Sequence, residues 1–191
     1  MGTFAILDFG TNTFNLLIAK KSESGFETLY SGKEAVKLGK GGINNQFITD
    51  EAMARGMQAI GRHMQTIEKY GADSIRAYAT SAFRNARNGQ AFANNIEKQF
   101  GFATQIIDGK EEAELIYKGI RASVYIGAEN VMILDIGGGS NEFIICNNEG
   151  ILWKHSYDLG MARIIEKFTI SDPIKKEEIV LLEEYFESEL A

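Results

Sequence analysis

Ile133-Leu134-Asp135-Ile136-Gly137-Gly138-Gly139-Ser140-Asn141-Glu142 is the run of residues on which the reading of this chain turns. Its first half is apolar and predicts the end of a buried strand. An acid, Asp135, then precedes three glycines and a hydroxyl residue. Successive glycines leave the backbone bare, so their N–H groups can approach a ligand closely. Concave arrays of such groups bind anions, phosphate above all. Asp135 would repel a bare phosphate, so it makes sense as the partner of a divalent cation. Strand, acid, glycine turn, hydroxyl, second acid: the order suggests metal-assisted phosphate chemistry. On these residues alone, a glycine-rich hairpin turn is the alternative.

The N-terminus repeats the design. Thr3 to Asp8 is an apolar run ending in an acid, Phe9-Gly10-Thr11-Asn12-Thr13 is a turn, and Phe14 to Ala19 is apolar again. That pattern predicts a hairpin. A third strand is expected at residues 25–31. The loop expected at 33–45 contains Leu38-Gly39-Lys40-Gly41-Gly42, which matches neither the Walker loop nor the dinucleotide fingerprint. Met53, Met57, Ile60, Met64 and Ile67 recur by four and three, predicting a helix that starts near Thr49 or Asp50 and stops at Gly71. Residues 74–79 read as a strand, 80–88 as a polar loop carrying Arg84 and Arg87, and 91–100 as a helix. A strand at 103–107, a helix at 110–125 and a strand at 130–135 come next. Residues 142–146 and 151–157 make a second hairpin. Helices at 161–168 and 176–190 close the chain, with Pro173 expected where the last one starts.

Such alternation argues for an α/β protein. Its repetition predicts two lobes of like design, 1–125 and 126–191, with the second lobe only begun. Each lobe opens with strand, acid, glycine turn, strand, so two phosphate turns are expected to face each other across a cleft. Asp8-Phe9-Gly10 also spells the metal motif of protein kinases, but the glycine-rich loop, lysine strand and catalytic loop that should precede it are missing.

Composition narrows the field. A chain of 191 residues with 45% hydrophobic and 24% charged residues is that of a soluble globular protein. Its net charge of −6, without a basic stripe, makes a DNA duplex an unexpected partner. Polyanions must instead be held locally, by amides, a few cations and metal. The single Cys146 excludes an internal disulfide, and two distant histidines argue against a zinc cluster. No run reaches membrane-span length and no basic leader opens the chain, so a cytoplasmic protein is expected.

Four segments now carry a resemblance: Asp8-Phe9-Gly10-Thr11-Asn12-Thr13-Phe14, Ala79-Thr80-Ser81-Ala82-Phe83-Arg84, Gly109-Lys110-Glu111-Glu112-Ala113-Glu114-Leu115-Ile116, and Asp135 to Glu142. In this order they resemble the exopolyphosphatase/guanosine pentaphosphate phosphatase (Ppx/GppA) family, within the actin/Hsp70/sugar-kinase superfamily. The resemblance implies an RNase-H-like (actin-like) α/β fold. It also implies hydrolysis of a terminal phosphate from polyphosphate or guanosine penta- or tetraphosphate, with magnesium or another divalent cation. Residue by residue, Glu112 resembles the base that activates water, and Arg84 the phosphate-contacting arginine. Asp135 and Glu142 resemble the acids that hold metal and water, with Asp8 as a third acid beside the turns. Thr11, Asn12, Thr13, Gly137, Gly138, Gly139 and Ser140 resemble the two phosphate turns. Asn141 departs from the family's usual Thr, and Leu159-Gly160-Met161-Ala162 matches only loosely.

The residues around Glu112 can also be read unaided. At about 100° per residue, Ala113, Ile116, Ile120 and Val124 define the buried face of its helix. Glu111 lies nearly opposite that face, and Glu114 and Lys118 are spaced as a surface ion pair. Glu112 lies nearest the apolar border, where desolvation suits a general base; a solvated surface glutamate is the alternative. Arg87, Lys40 and His63 read as surface, Trp153 and Tyr157 as core. The apolar face Ile179, Leu182 and Phe186 of the last helix needs covering, for which a homodimer is one solution. Two rival functions remain: an ATP-using actin-like or sugar-kinase relative, and a regulator that binds (p)ppGpp or polyphosphate without cleaving it.

Overall fold

The computed structural model describes residues 2–23 and 25–191. They fall into two compact units, Met1–Asp108 and Gly109–Ala191. In the first, β1 (Thr3–Phe9), β2 (Thr13–Ser22), β3 (Gly25–Ala35), β4 (Ser74–Ala79) and β5 (Thr104–Ile106) form one sheet in the order β3-β2-β1-β4-β5. The first three strands are antiparallel, and β4 and β5 run parallel to β1. With α1 (Asp50–Tyr70), α2 (Ser81–Asn85) and α3 (Gly89–Phe100), this is the RNase-H-like arrangement. The third strand continues through Lys33 to Ala35, beyond its expected end. The polar loop expected at 80–88 contains a helix, α2, because Phe83 is buried there. Its ring stacks on Phe92 at 5.1 Å and lies 6.1 Å from Phe9.

Helix α1 starts and stops as its sequence predicts. The Thr49 hydroxyl accepts from the Ala52 N–H at 3.2 Å, and Gly71 closes the helix in the left-handed region at φ 62°. Its buried face differs from the methionine stripe. Ala52, Gly56, Ala59, Ile60, His63 and Ile67 face inward, while Met53, Met57 and Met64 flank them half-buried. At 100° per residue, that face is rotated by about 70° from the stripe. Small residues are the reason: a Cβ on Gly56 would stand 3.0 Å from Phe92 and 3.3 Å from Phe14. The rotation turns His63 inward.

His63 is therefore core, not surface, and its Nε2 lies 3.1 Å from the Phe14 carbonyl. A carbonyl only accepts, so that nitrogen carries the proton. Burial holds the His63 pKa below its usual value, opposed by the Phe14 hydrogen bond. The unfolded chain binds a proton below about pH 6.5 that the folded chain resists. Stability from this group is thus present above that pH and lost as pH falls through the depressed folded value. A thermal melt at pH 5 should lose more against pH 7 in the wild type than in His63→Gln.

The second unit holds α4 (Gly109–Ser123), β6 (Val131–Ile136), β7 (Asn141–Asn147), β8 (Gly150–Tyr157), α5 (Met161–Lys167) and α6 (Lys176–Leu190). Its antiparallel sheet has the order β6-β7-β8. Ala113 and Tyr117 of α4 pack on Ile144 and Cys146 of β7. That packing places α4 with the second sheet, so the compact units divide at Asp108/Gly109, whereas the expected lobes divide at 125/126. Val124 lies past the end of α4 and is exposed, and Tyr117 takes an inner place the apolar spacing did not mark.

Strand β6 is an edge strand rather than a buried one: Met132 is 63% and Ile136 62% exposed. Register places Met132, Leu134 and Ile136 on the same face as Trp153, His155 and Tyr157, opposite the face that receives α4. Trp153 is accordingly exposed and Tyr157 half-buried, and His155 lies against both rings, so these aromatics are not the core they were expected to be. Pro173 lies ahead of α6 rather than at its first residue. The helix start is instead held by the Glu178 carboxylate, which accepts from the Lys175 N–H at 2.8 Å and the Ser171 hydroxyl at 2.6 Å. Among the described residues no helix is long and apolar enough to cross a membrane.

Candidate functional site

The turn between β1 and β2 is anchored by its flanks. Phe9 and Phe14 are fully buried with ring centroids 4.6 Å apart, and the Gly10 N–H donates to the Thr13 carbonyl at 3.0 Å. The chain leaving β3 then returns behind the turn. Val36 and Lys37 N–H groups donate to the Asn12 carbonyl at 2.9 and 2.8 Å, and Gly39 to the Thr11 carbonyl at 3.2 Å. In a trans peptide C=O and N–H point in opposite directions. With those carbonyls held from behind, the Asn12 and Thr13 N–H groups aim away from the returning loop. Arg55 clamps that loop through the Val36 and Lys37 carbonyls at 2.8 and 3.0 Å. Thr11 is 3% exposed, and among the described residues its hydroxyl has no hydrogen-bond partner. Such an orphan is unfavourable unless a ligand or an ordered water meets it.

Other predicted residues of this unit sit at the same end of the sheet. Asp8 lies across the ladder from Asn15, whose amide donates to it at 2.9 Å. The Thr80 N–H donates to the Phe9 carbonyl, and Arg84 reaches from α2 to the Ile107 carbonyl at 3.0 Å. The turn, Thr80 and Arg84 thus cluster at the carboxyl ends of β1, β4 and β5, where open α/β sheets bind ligands.

The second unit is built the same way. The Gly137 N–H donates to the Ser140 carbonyl, again at 3.0 Å. The chain leaving β8 returns and takes the glycine carbonyls: Met161 N–H to Gly137 at 3.0 Å, Ala162 N–H to Gly138 at 2.7 Å, and Arg163 Nε to Gly139 at 2.7 Å. All three carbonyls point to α5, so the N–H groups of Gly138, Gly139 and Ser140 point the other way. Among the described residues no acceptor receives any of these three N–H groups. Gly139 and Ser140 are buried, and buried backbone N–H groups are seldom left unpaired.

Asp135 and Glu142 are cross-strand partners, so their side chains share one face of the β6–β7 ladder. Glu142 is 1% exposed and accepts from the Ser156 hydroxyl at 2.7 Å; Asp135 is exposed. Asn141, on the other face, donates to the Leu159 carbonyl at 3.0 Å. Among the described residues no three His, Cys, Asp or Glu side chains gather as a metal site, so this unit offers a carboxylate pair. Glu112 is half-buried in the first turn of α4, beside the fully buried Ala113. Glu111 is half-buried too, so exposure does not separate the two as the helical wheel does. Glu114 is exposed and pairs with Lys154 of β8. Cys146 is buried, which raises its thiol pKa, and the thiol rather than the more nucleophilic thiolate is favoured there.

Sequence reasoning missed the two returning loops and the residues that act through them, Arg55, Gly160 and Arg163. A Cβ on Gly160 would stand 2.4 Å from Gly138 C and Gly139 N. The Leu159-Gly160 pair after a strand was the available signal, but nothing local says which backbone it meets.

The strand order of the first unit and the carbonyl-backed turn in each unit are those of an RNase-H-like α/β fold. Residues 17–191 match the Ppx/GppA phosphatase family, and the chain belongs to it. The match includes Arg84, Glu112 and the second turn but not residues 8–13. An exopolyphosphatase from Cytophaga hutchinsonii superposes with a TM-score of 0.96 at 38% identity, over 99% of this chain and 61% of that one. The Aquifex aeolicus Ppx/GppA family member shares the fold at TM-score 0.78 and 22% identity, over 99% and 61% of the two chains. A guanosine-5'-triphosphate,3'-diphosphate pyrophosphatase of Pseudoalteromonas translucida is 32% identical over 166 residues, 86% of this chain and 33% of that protein. A bifunctional 3-dehydroquinate synthase/phosphatase of Fusobacterium nucleatum is 33% identical over 178 residues, 89% of this chain and 27% of that protein. The chain thus spans a third or less of these two curated relatives.

Proposed function

We propose that this protein releases the terminal phosphate of inorganic polyphosphate or a guanosine penta- or tetraphosphate. The observation that carries this reading is the trio of outward, unpaired N–H groups at Gly138, Gly139 and Ser140. They donate to the oxygens of a terminal phosphate; in the first unit, Arg84 and residues Thr11 to Thr13 are the phosphate contacts we assign. Phosphoryl transfer needs positioning and charge neutralisation more than covalent help. Glu112 takes a proton from water as that water attacks the terminal phosphorus. The bond to the bridging oxygen breaks, and the shortened polyphosphate or nucleotide leaves.

Asp135 and Glu142 offer only oxygen donors from one face, which fits magnesium, a cation that keeps water and phosphate oxygens in its shell. In the first unit, Asp8 is the acid we assign to cation binding. When bound, magnesium neutralises charge on the phosphate oxygens. The named activities of the Cytophaga and Pseudoalteromonas relatives support both substrate classes.

A phosphate-release assay on each substrate, with and without magnesium, tests the proposal. Release should require the metal, with chelation slowing it by about a hundredfold or more. Tight (p)ppGpp or polyphosphate binding without release would favour a regulator. Adenine-nucleotide binding without polyphosphate cleavage would favour an ATP-using relative.

A further inference from the structure

We propose that Arg163 is a positioning residue for the phosphate turn at Gly137 to Ser140. The inference rests on the reading of that turn given above and adds a residue that reading does not use. Arg163 Nε donates to the Gly139 carbonyl at 2.7 Å, and its Nη2 lies 3.2 Å from Asp158 Oδ1. Its side chain is only 12% exposed, so the guanidinium is enclosed. The Gly139 carbonyl shares its peptide with the Ser140 N–H, and fixing one fixes the direction of the other. Met161 and Ala162 fix the two preceding peptides through backbone bonds that no side-chain substitution removes. The last peptide of the turn is therefore the one whose direction depends on a side chain, and that side chain is Arg163.

Lysine cannot replace this contact. A guanidinium is a rigid fork that meets the Gly139 carbonyl and Asp158 together, while an ammonium is a point charge on a flexible stem. An arginine acting on substrate simply as a positive charge would tolerate lysine better. Rescue by lysine thus separates positioning from direct charge attraction.

The test is amide NMR on the ¹⁵N-labelled 191-residue chain, titrated with tripolyphosphate and magnesium. In the wild type the Gly138, Gly139 and Ser140 amides should shift with one saturable affinity, and Thr11 and Asn12 report the other turn. In Arg163→Ala and Arg163→Lys the affinity read at Gly139 and Ser140 should fall about tenfold, the scale of one lost charge-assisted hydrogen bond. The size of the Thr11 and Asn12 shifts at saturation should be retained. Affinity within twofold of wild type in Arg163→Ala, or its full recovery in Arg163→Lys, would overturn the inference. Should either variant lose its dispersed spectrum, Asp158→Asn replaces a 59% exposed partner and leaves the fold alone. It should weaken binding two- to threefold as read at Gly139 and Ser140, and unchanged binding overturns the inference. A wild type whose Gly138 to Ser140 amides ignore tripolyphosphate, while other amides respond, removes the phosphate reading of the turn and this inference with it.

Discussion

Glu112→Gln should lower phosphate release by about a thousandfold while leaving substrate binding within a few-fold of wild type, because a positioned general base contributes on the order of 10²–10⁴ in rate. The amide keeps the size and hydrogen-bonding shape of the carboxylate but cannot take the proton of the attacking water. Glu112 sits in the first turn of α4, with Ala113 buried behind it. The substitution leaves that packing untouched, so a stability change is not expected. Glu111→Gln is the matched comparison, since Glu111 is equally half-buried and one residue away. It should retain most of the activity. Steady-state release, with binding by calorimetry, separates the outcomes. Equal losses in both variants would move the role from a single base to the local charge of the helix start.

Gly160→Ala should be the most damaging single methyl group in the second unit. Gly160 has φ −67° and ψ 156°, a conformation open to any residue, so the demand for glycine is steric. An added Cβ would meet Gly138 C and Gly139 N at 2.4 Å and Gly138 O at 2.5 Å, all backbone atoms of the phosphate turn. Ordinary contacts lie near 3.5–4.0 Å, so α5 and the turn must part by roughly 1 Å. Such a shift breaks the bonds from Met161 and Ala162 that hold the carbonyls. A displacement of that size should cost about a hundredfold in turnover, with a loss of about 1–3 kcal/mol in stability from overpacking. Gly61→Ala is the control: it lies inside α1 with nothing within 4 Å of an added Cβ, and should be neutral or stabilising. Melting curves and activity on both variants check the contrast.

The paired turns were legible because they rest on local signals: an apolar run, an acid, a glycine bend, a second apolar run. The caps of α1 at Thr49 and Gly71 were legible for the same reason. What the residues did not disclose depends on distant backbone. Apolar periodicity marks large side chains, yet α1 is seated by Gly56 against Phe14 and Phe92, with Ala59 also buried, which turns His63 inward. Trp153 and Tyr157 looked like core because aromatics usually are, but alternation along β8 puts them on the sheet face away from α4. The same holds at the site. Glycines announce a turn that can bind phosphate, but whether its N–H groups face outward depends on what takes its carbonyls. Residues 36–39 and 161–163 do so, following the end of each third strand, which lies beside the turn.

A crystal structure of Glu112→Gln grown with magnesium and tripolyphosphate tests this arrangement most directly. The N–H groups of Gly138, Gly139 and Ser140 should lie within hydrogen-bond distance, about 2.7–3.2 Å, of the terminal phosphate oxygens. A phosphate chain bound elsewhere, with those three groups turned to water, would contradict it.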